Sequence, residues 1–252
     1  MPVLRTKTSR MWLPDALRGL ALLNMLAYHV MYDWVYVFGH ESSWYNIWAP
    51  GCHVWQQYIC WSFILLSGFS FPLAKRPAKN GLIVAGCAAV LTFVTAVFMP
   101  SEAIWFGVLH LNAAAVLLTC LVYPLLQRLP AGAGLAASAA LFALTNQLPE
   151  GYLGFESWRL CAVPAGLYKT NWFWLGLSDL TQFASADYFP ILPWVFLFWC
   201  GVFLARLWRP GKGEPPAALR PLCAIGRNTL LVYMLHQPVI YGALWVWHTV
   251  LG

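Results

Sequence analysis

Four residues in the first forty have the types and spacing to do chemistry together: Arg18, His29, Asp33 and His40. They sit in DALRGLALLNMLAYHVMYDWVYVFGH, from Asp15 to His40, a stretch otherwise apolar enough to enter a membrane. At about 100° per residue, Arg18 and His29, eleven positions apart, fall within roughly 20° of one another on a helix. Asp33 follows one turn after His29 on the same side, and a helix continued that far would return His40 to the same stripe. A guanidinium near a cytoplasmic mouth suits phosphate recognition. An imidazole about 16 Å further along the axis suits proton transfer. Asp33 is spaced to hold the tautomer of that imidazole or to stabilise its charged form. Ionisable groups inside a spanning helix are costly and tend to face a cavity or a partner. That favours a functional reading of the stripe over one in which Arg18 merely marks the cytosolic end and His29 bonds a neighbour.

Other polar residues lie within apolar runs. His110 and Asn112 fall in FGVLHLNAAAVLL, and Arg227, Asn228, His236 and Gln237 fall in IGRNTLLVYMLHQPVIYG. His110 and His236 lack a carboxylate nearby in sequence, so each reads either as a satisfied core histidine or as part of the same cavity. His53 and His248 lie at expected helix ends, with no chemical role assigned. No HExxH or similar grouping is present, so no metal site is expected. The absence of a Walker-type or GxGxxG loop argues against an ATP-driven or dinucleotide-dependent machine. The seven cysteines are scattered without a CxxC pair and read as small hydrophobes in apolar runs.

The elements that would position these residues are set by composition. Of 252 residues, 60% are hydrophobic and only 10% charged, against about 25% charged in a soluble domain. Apolar runs of near-spanning length then predict an all-α, polytopic transmembrane helical bundle of about seven spans, forming a single domain over residues 1–252. The expected spans are about 13–37, 53–74, 80–99, 103–127, 131–147, 189–208 and 222–248. Residues 148–188 alternate polar and aromatic character and read as a partly helical, interfacial or re-entrant segment covering a site. The net charge of +6 comes from short hydrophilic gaps: Arg5, Lys7 and Arg10; Lys75, Arg76 and Lys79; Arg128; and the Pro-rich stretch 206–220. This spacing fits the positive-inside rule with a cytoplasmic N-terminus, and it lacks the aromatic interleaving of a nucleic-acid face. The first helix carries no small-residue cleavage site after it and is expected to be retained.

Read in order, WLPDALRGLALLNMLAYHVMYDWVYVFG, SGFSFPLAKR, FGVLHL, DYFPILPW and GRNTLLVYMLHQPV resemble the bacterial DUF1624 membrane proteins. These are related to the catalytic domain of the lysosomal heparan-alpha-glucosaminide N-acetyltransferase. The Arg-x10-His spacing is also similar to that of the broader transmembrane acyltransferase superfamily. The resemblance implies acetyl-CoA as donor and acyl transfer across the membrane to an acceptor on the far side. The lysosomal enzyme's catalytic histidine follows its first helix in a Tyr-Phe-Lys-His-Ala-Ser-Trp context. Val37-Phe38-Gly39-His40-Glu41-Ser42-Ser43-Trp44 resembles that context, with one extra residue before the Trp. In the same register His29 falls where that enzyme carries an Asn, so the two relatives nominate different histidines.

Together these readings predict an integral protein of the bacterial inner membrane that moves an acetyl or other acyl group from cytoplasmic acyl-CoA to an amino-sugar or glycan acceptor outside. His40 or His29 would be the base or acyl-carrying nucleophile, with Asp33 orienting it. Arg18, Arg227, Asn228, His110 and His236 are the candidate contacts to acyl-CoA, and Tyr32, Trp44 and the aromatics of 168–188 the candidates for packing the acceptor. The partners expected are acyl-CoA, the sugar acceptor and the lipid bilayer, without nucleic acid, and a homodimer is left open. The rival reading is a proton-coupled transporter with a His/Asp relay, for which no inverted repeat or paired broken helices are evident.

Overall fold

A computed structural model describes residues 11–179 and 181–251, which are mostly helical. The basic residues Arg5, Lys7 and Arg10 lie outside them. Eight α-helices follow in chain order: α1 Trp12–Tyr32, α2 Pro50–Ser70, α3 Pro77–Phe98, α4 Val108–Arg128, α5 Ala131–Thr145, α6 Ile191–Leu207, α7 Arg220–Arg227 and α8 Thr229–Leu251. Three stretches are long and apolar enough to cross a membrane, Pro77–Phe98, Val108–Arg128 and Thr229–Val250. Ile191–Leu207 is apolar but shorter. Much of α3 is uncovered by protein, with Leu82, Val90, Phe93 and Val97 exposed, as expected of a helix whose surroundings are lipid.

The chain divides into two compact units, residues 1–63 with 209–252, and residues 64–208. In the first, α1 and α7 touch backbone to backbone. A Cβ on Gly19 would overlap the carbonyl oxygen of Leu222, and one on Gly226 would overlap that of Asp15. Small residues permit such closeness where apolar driving force between helices is weak. Leu22 and Met25 of α1 and Ile59 of α2 form the core beside this contact, flanked by Trp55, Phe63, Ile225 and Val232. Trp55 Nε1 donates to Asn24 Oδ1 at 3.0 Å, fastening α2 to α1.

The second unit packs α3 on α4 and α5 on α6. Gly68, at the end of α2, abuts the Phe198 backbone of α6, and Gly201 abuts that of Leu65. Gly134 of α5 makes room for the Phe203 ring. Trp199 Nε1 donates to Thr119 Oγ1 at 3.0 Å between α6 and α4. Arg206 donates to the carbonyls of Leu126 at 3.0 Å and Leu129 at 2.9 Å, satisfying the open C-terminal end of α4.

Three expectations change. The all-α reading gives way in residues 152–162, where β1 Tyr152–Phe155 and β2 Trp158–Ala162 form an antiparallel hairpin. Glu156 at φ 51° makes its turn, and Arg159 covers the Tyr152 ring at 4.3 Å. The helix expected over 222–248 is two helices, because the chain leaves helical geometry at Asn228 (φ −107°, ψ 28°). The helix expected from 103 begins at Val108, since residues 103–106 run extended against 186–189. There Phe189 N–H donates to the Phe106 carbonyl at 2.8 Å, and Asp187 Oδ2 accepts from Val108 N–H at 3.0 Å as its cap.

Candidate active site

The first unit carries polar groups at successive levels along one seam, where α7 lies against α1 in the opposite direction and α8 runs alongside α1 in the same direction. At the start of α1, Asp15 is 1% exposed and lies between two guanidiniums. Arg18 Nη1 reaches Oδ1 and Arg227 Nε reaches Oδ2, each at 3.1 Å. The Arg227 side chain is 43% exposed and the Arg18 side chain 16%, so Arg227 presents the accessible donors of a fork suited to phosphate. Asn228 donates to the Ala224 carbonyl at 2.9 Å, and its part in the structure is to close α7.

One level along, His29 of α1 and His236 of α8 face each other with ring centroids 4.7 Å apart and planes tilted by 59°. His236 Nδ1 lies at hydrogen-bonding distance from the Tyr233 carbonyl. A carbonyl only accepts, so Nδ1 carries the proton and, in the neutral ring, Nε2 keeps its lone pair. Asp33, fully buried, is the next level. Gln237 Nε2 lies 2.9 Å from each of its carboxylate oxygens. The hydrogen bonds of Asp33 thus go to α8, whereas its spacing from His29 had suggested a partner within its own helix. Gln237 Oε1 is buried without a hydrogen-bond partner among the described residues.

Beyond Asp33 the helix widens into a π turn, Asp33–Val37, and stops. Gly39 takes φ 73°, a conformation that favours glycine. The His40 N–H then returns to the Trp34 carbonyl at 3.1 Å, a bond across six positions that closes the chain back over the π turn. His40 is therefore not on a continued helical stripe. It folds back to stack on Trp34, with centroids 3.8 Å apart and planes 19° apart, and meets the edge of His248 at 5.7 Å. His40 Nε2 is buried with no hydrogen-bond partner among the described residues. Alongside, Tyr45 packs against Tyr28 and Trp55, and burial pushes its phenol well above the ordinary range. Of the aromatics proposed for the acceptor, Tyr32 lies against Tyr36 at 5.4 Å and Trp44 is exposed.

His110 belongs to the second unit, where both ring nitrogens are engaged. Nδ1 accepts from Gly107 N–H at 3.3 Å, and Nε2 lies 3.1 Å from Thr92 Oγ1. The Thr92 hydroxyl donates to the Ile104 carbonyl at 2.6 Å, so Nε2 is the donor in the histidine contact. This is the pattern of a histidine that closes a helix start. The aromatics of 168–188 pack on one another in the same unit, Phe173 on Phe183 at 5.1 Å and Trp172 on Trp174 at 6.3 Å.

Three of these partners escaped the sequence reading: Asp15 as shared counter-ion, Gln237 as holder of Asp33, and Trp34 as the plate under His40. The Asp15–Arg18 spacing of three is a local ion-pair signal. The other contacts join α1 to α8 or depend on a left-handed glycine. A family model described as heparan-alpha-glucosaminide N-acetyltransferase, catalytic, matches residues 10–238. No curated protein and no solved structure matches the chain. By that match the chain belongs to the heparan-alpha-glucosaminide N-acetyltransferase catalytic family.

Proposed function

We propose, from membership of that family, that this protein is an integral membrane acyltransferase. It moves an acetyl group from cytoplasmic acyl-CoA to an amino-sugar or glycan acceptor on the other side of the membrane. In this reading the two units are parts of one membrane domain of about seven spans in the bacterial inner membrane, with the N-terminus cytoplasmic. The observation that carries the reading is the match over residues 10–238, within which the whole stretch from Asp15 to Gln237 falls.

The residues fit an acyl-CoA donor at one end of the seam. The Asp15 cluster has a half-exposed guanidinium on Arg227, with Arg18 held beside it as the second cation. These suit the phosphates of CoA. His40 is the base that acts on the acceptor. Its ring is held by the Trp34 stack, and Nε2 has no competing hydrogen-bond partner among the described residues. The acceptor nitrogen forms a bond to the thioester carbonyl carbon while His40 takes its proton. The carbon–sulfur bond then breaks and the proton passes to the departing sulfur. Asp33, fixed by Gln237, supplies a buried carboxylate between the two histidine levels.

Purified protein incubated with acetyl-labelled acetyl-CoA and glucosamine tests the reading. It predicts free CoA thiol and labelled N-acetylglucosamine in equal amounts. Stable acetyl-CoA, with no transfer to any amino or hydroxyl sugar, would overturn it.

A further inference from the structure

The His29–His236 pair has no task in the step just described, yet it is built with some care. Two imidazoles from different helices stand 4.7 Å apart. One is fixed by its Nδ1–H on the Tyr233 carbonyl, leaving Nε2 as an acceptor. No protein hydrogen bond is made by the His29 ring among the described residues. The ionisable groups around the pair are Tyr28 and Asp33 from α1 and its π turn, Tyr233 from α8, Tyr45 from the loop after α1, and Cys52 and Cys60 from α2 beside Tyr28. None of these is a cation. Two neutral facing rings each keep one ring lone pair, so a single proton can be taken up by either. They bind a second poorly, because two like charges would stand face to face.

An amino-sugar acceptor creates a need for such a pair. It arrives as an ammonium at neutral pH. The balanced reaction is R–NH₃⁺ plus acetyl–S–CoA giving R–NH–acetyl plus HS–CoA plus H⁺. One proton leaves the nitrogen during attack and ends on sulfur. The other must leave before attack, so that nitrogen has a lone pair, and no product takes it.

We propose that His29 and His236 act together as the acceptor of this first proton, holding it on one of their facing rings and releasing it to solvent after transfer. The inference rests on the acyltransferase reading above and extends it, making the ammonium form of the acceptor the species this seam is equipped to use.

The test uses full-length protein and His29→Asn, His236→Gln and the double variant. Activity is expressed per monodisperse protein, with acetyl-CoA and glucosamine followed from neutral to alkaline pH. Each single variant should lose about 10²-fold at neutral pH and recover towards wild type at alkaline pH, where the amine arrives neutral. The double variant should lose no more than the worse single variant, as residues acting as one unit do. Two variants on different helices keep the test open if one folds poorly. A deficit equal at every pH, losses that multiply in the double variant, or no deficit at all would overturn the proposal while leaving the acyltransferase reading intact. Absence of transfer by the wild type would overturn both.

Discussion

Gly19 and Gly226 in the first unit, and Gly68 and Gly201 in the second, serve the same purpose: each lets one helix lie on the backbone of another. The two units part company in their polar groups. In the second unit the polar groups that join the packed helices complete local bonds, although Asn112 Oδ1 of α4 is buried without a partner among the described residues. His110 uses both nitrogens on Gly107 and Thr92, Thr119 receives the Trp199 indole, and Arg206 closes the end of α4. In the first, His40 Nε2 and Gln237 Oε1 are buried with hydrogen-bonding capacity left over. His29 faces another imidazole, and Arg227 shows half a guanidinium to the outside. Burying a polar group without a partner is costly. A chain that meets that cost twice along one seam has marked where a substrate is to supply the missing partners.

The largest effect that could break this contrast comes from exchanging the roles of two histidines. His40→Ala should reduce acetyl transfer by about 10²–10⁴-fold with little change in thermal stability. His110→Ala should leave transfer per folded molecule within a few-fold of wild type while lowering the melting temperature. Label transfer and unfolding scans on both variants check this, and the opposite pattern would place the chemistry in the second unit.

A smaller effect is expected at the charged end of the seam. Asp15→Asn leaves two guanidiniums without their buried counter-ion and should cost about 3 kcal/mol, read by chemical denaturation. Arg227→Ala leaves Asp15 its Arg18 partner and should cost little stability, because that side chain is half exposed. It should instead weaken acyl-CoA binding, with Arg227→Lys restoring only part of it, since a lysine cannot form the two-pronged contact. Unchanged CoA affinity in Arg227→Ala would remove that residue from the donor site.

The shared packing device gives a comparison that should come out even. Gly226→Ala and Gly68→Ala each place a methyl group against a backbone carbonyl, and each should destabilise by about 1–3 kcal/mol. The smallest effect belongs to Thr119→Val, which removes the acceptor of the Trp199 indole and should cost about 0.6 kcal/mol. Each is measured by unfolding in detergent. A tolerated Gly226→Ala would show that α1 and α7 are not held at backbone contact.

The helices were legible where apolar runs are long and bounded. The α1 helix with its π turn, 12–37, falls on the expected 13–37, and α5 and α6 lie within a few residues of expectation. The break at Asn228 was hidden because Arg227, Asn228 and Thr229 make only a short polar interruption between apolar residues, which a polar helix face would also give. The hairpin at 152–162 was hidden because a short strand pair depends on cross-strand contacts such as Arg159 on Tyr152. In the site, the residue types were legible and the partners were not. Arg18, His29, Asp33, Arg227 and His236 all stand out as polar groups in apolar surroundings. That Asp33 pairs with Gln237 and His29 with His236 follows from α8 lying beside α1, a contact across some two hundred positions that no local spacing reveals. His40 reaches its place by the opposite of what periodicity suggested, through a helix that ends and folds back at Gly39.

Transfer from one side of the membrane to the other is the central claim, and sidedness tests it most directly. With the protein reconstituted in one orientation, labelled acetyl-CoA is supplied on the face of Lys75, Arg76 and Lys79 and glucosamine on the opposite face. The account predicts labelled N-acetylglucosamine in the acceptor compartment, free CoA in the donor compartment, and neither when acetyl-CoA is supplied only on the acceptor side. Product formed solely when donor and acceptor share one compartment would contradict it.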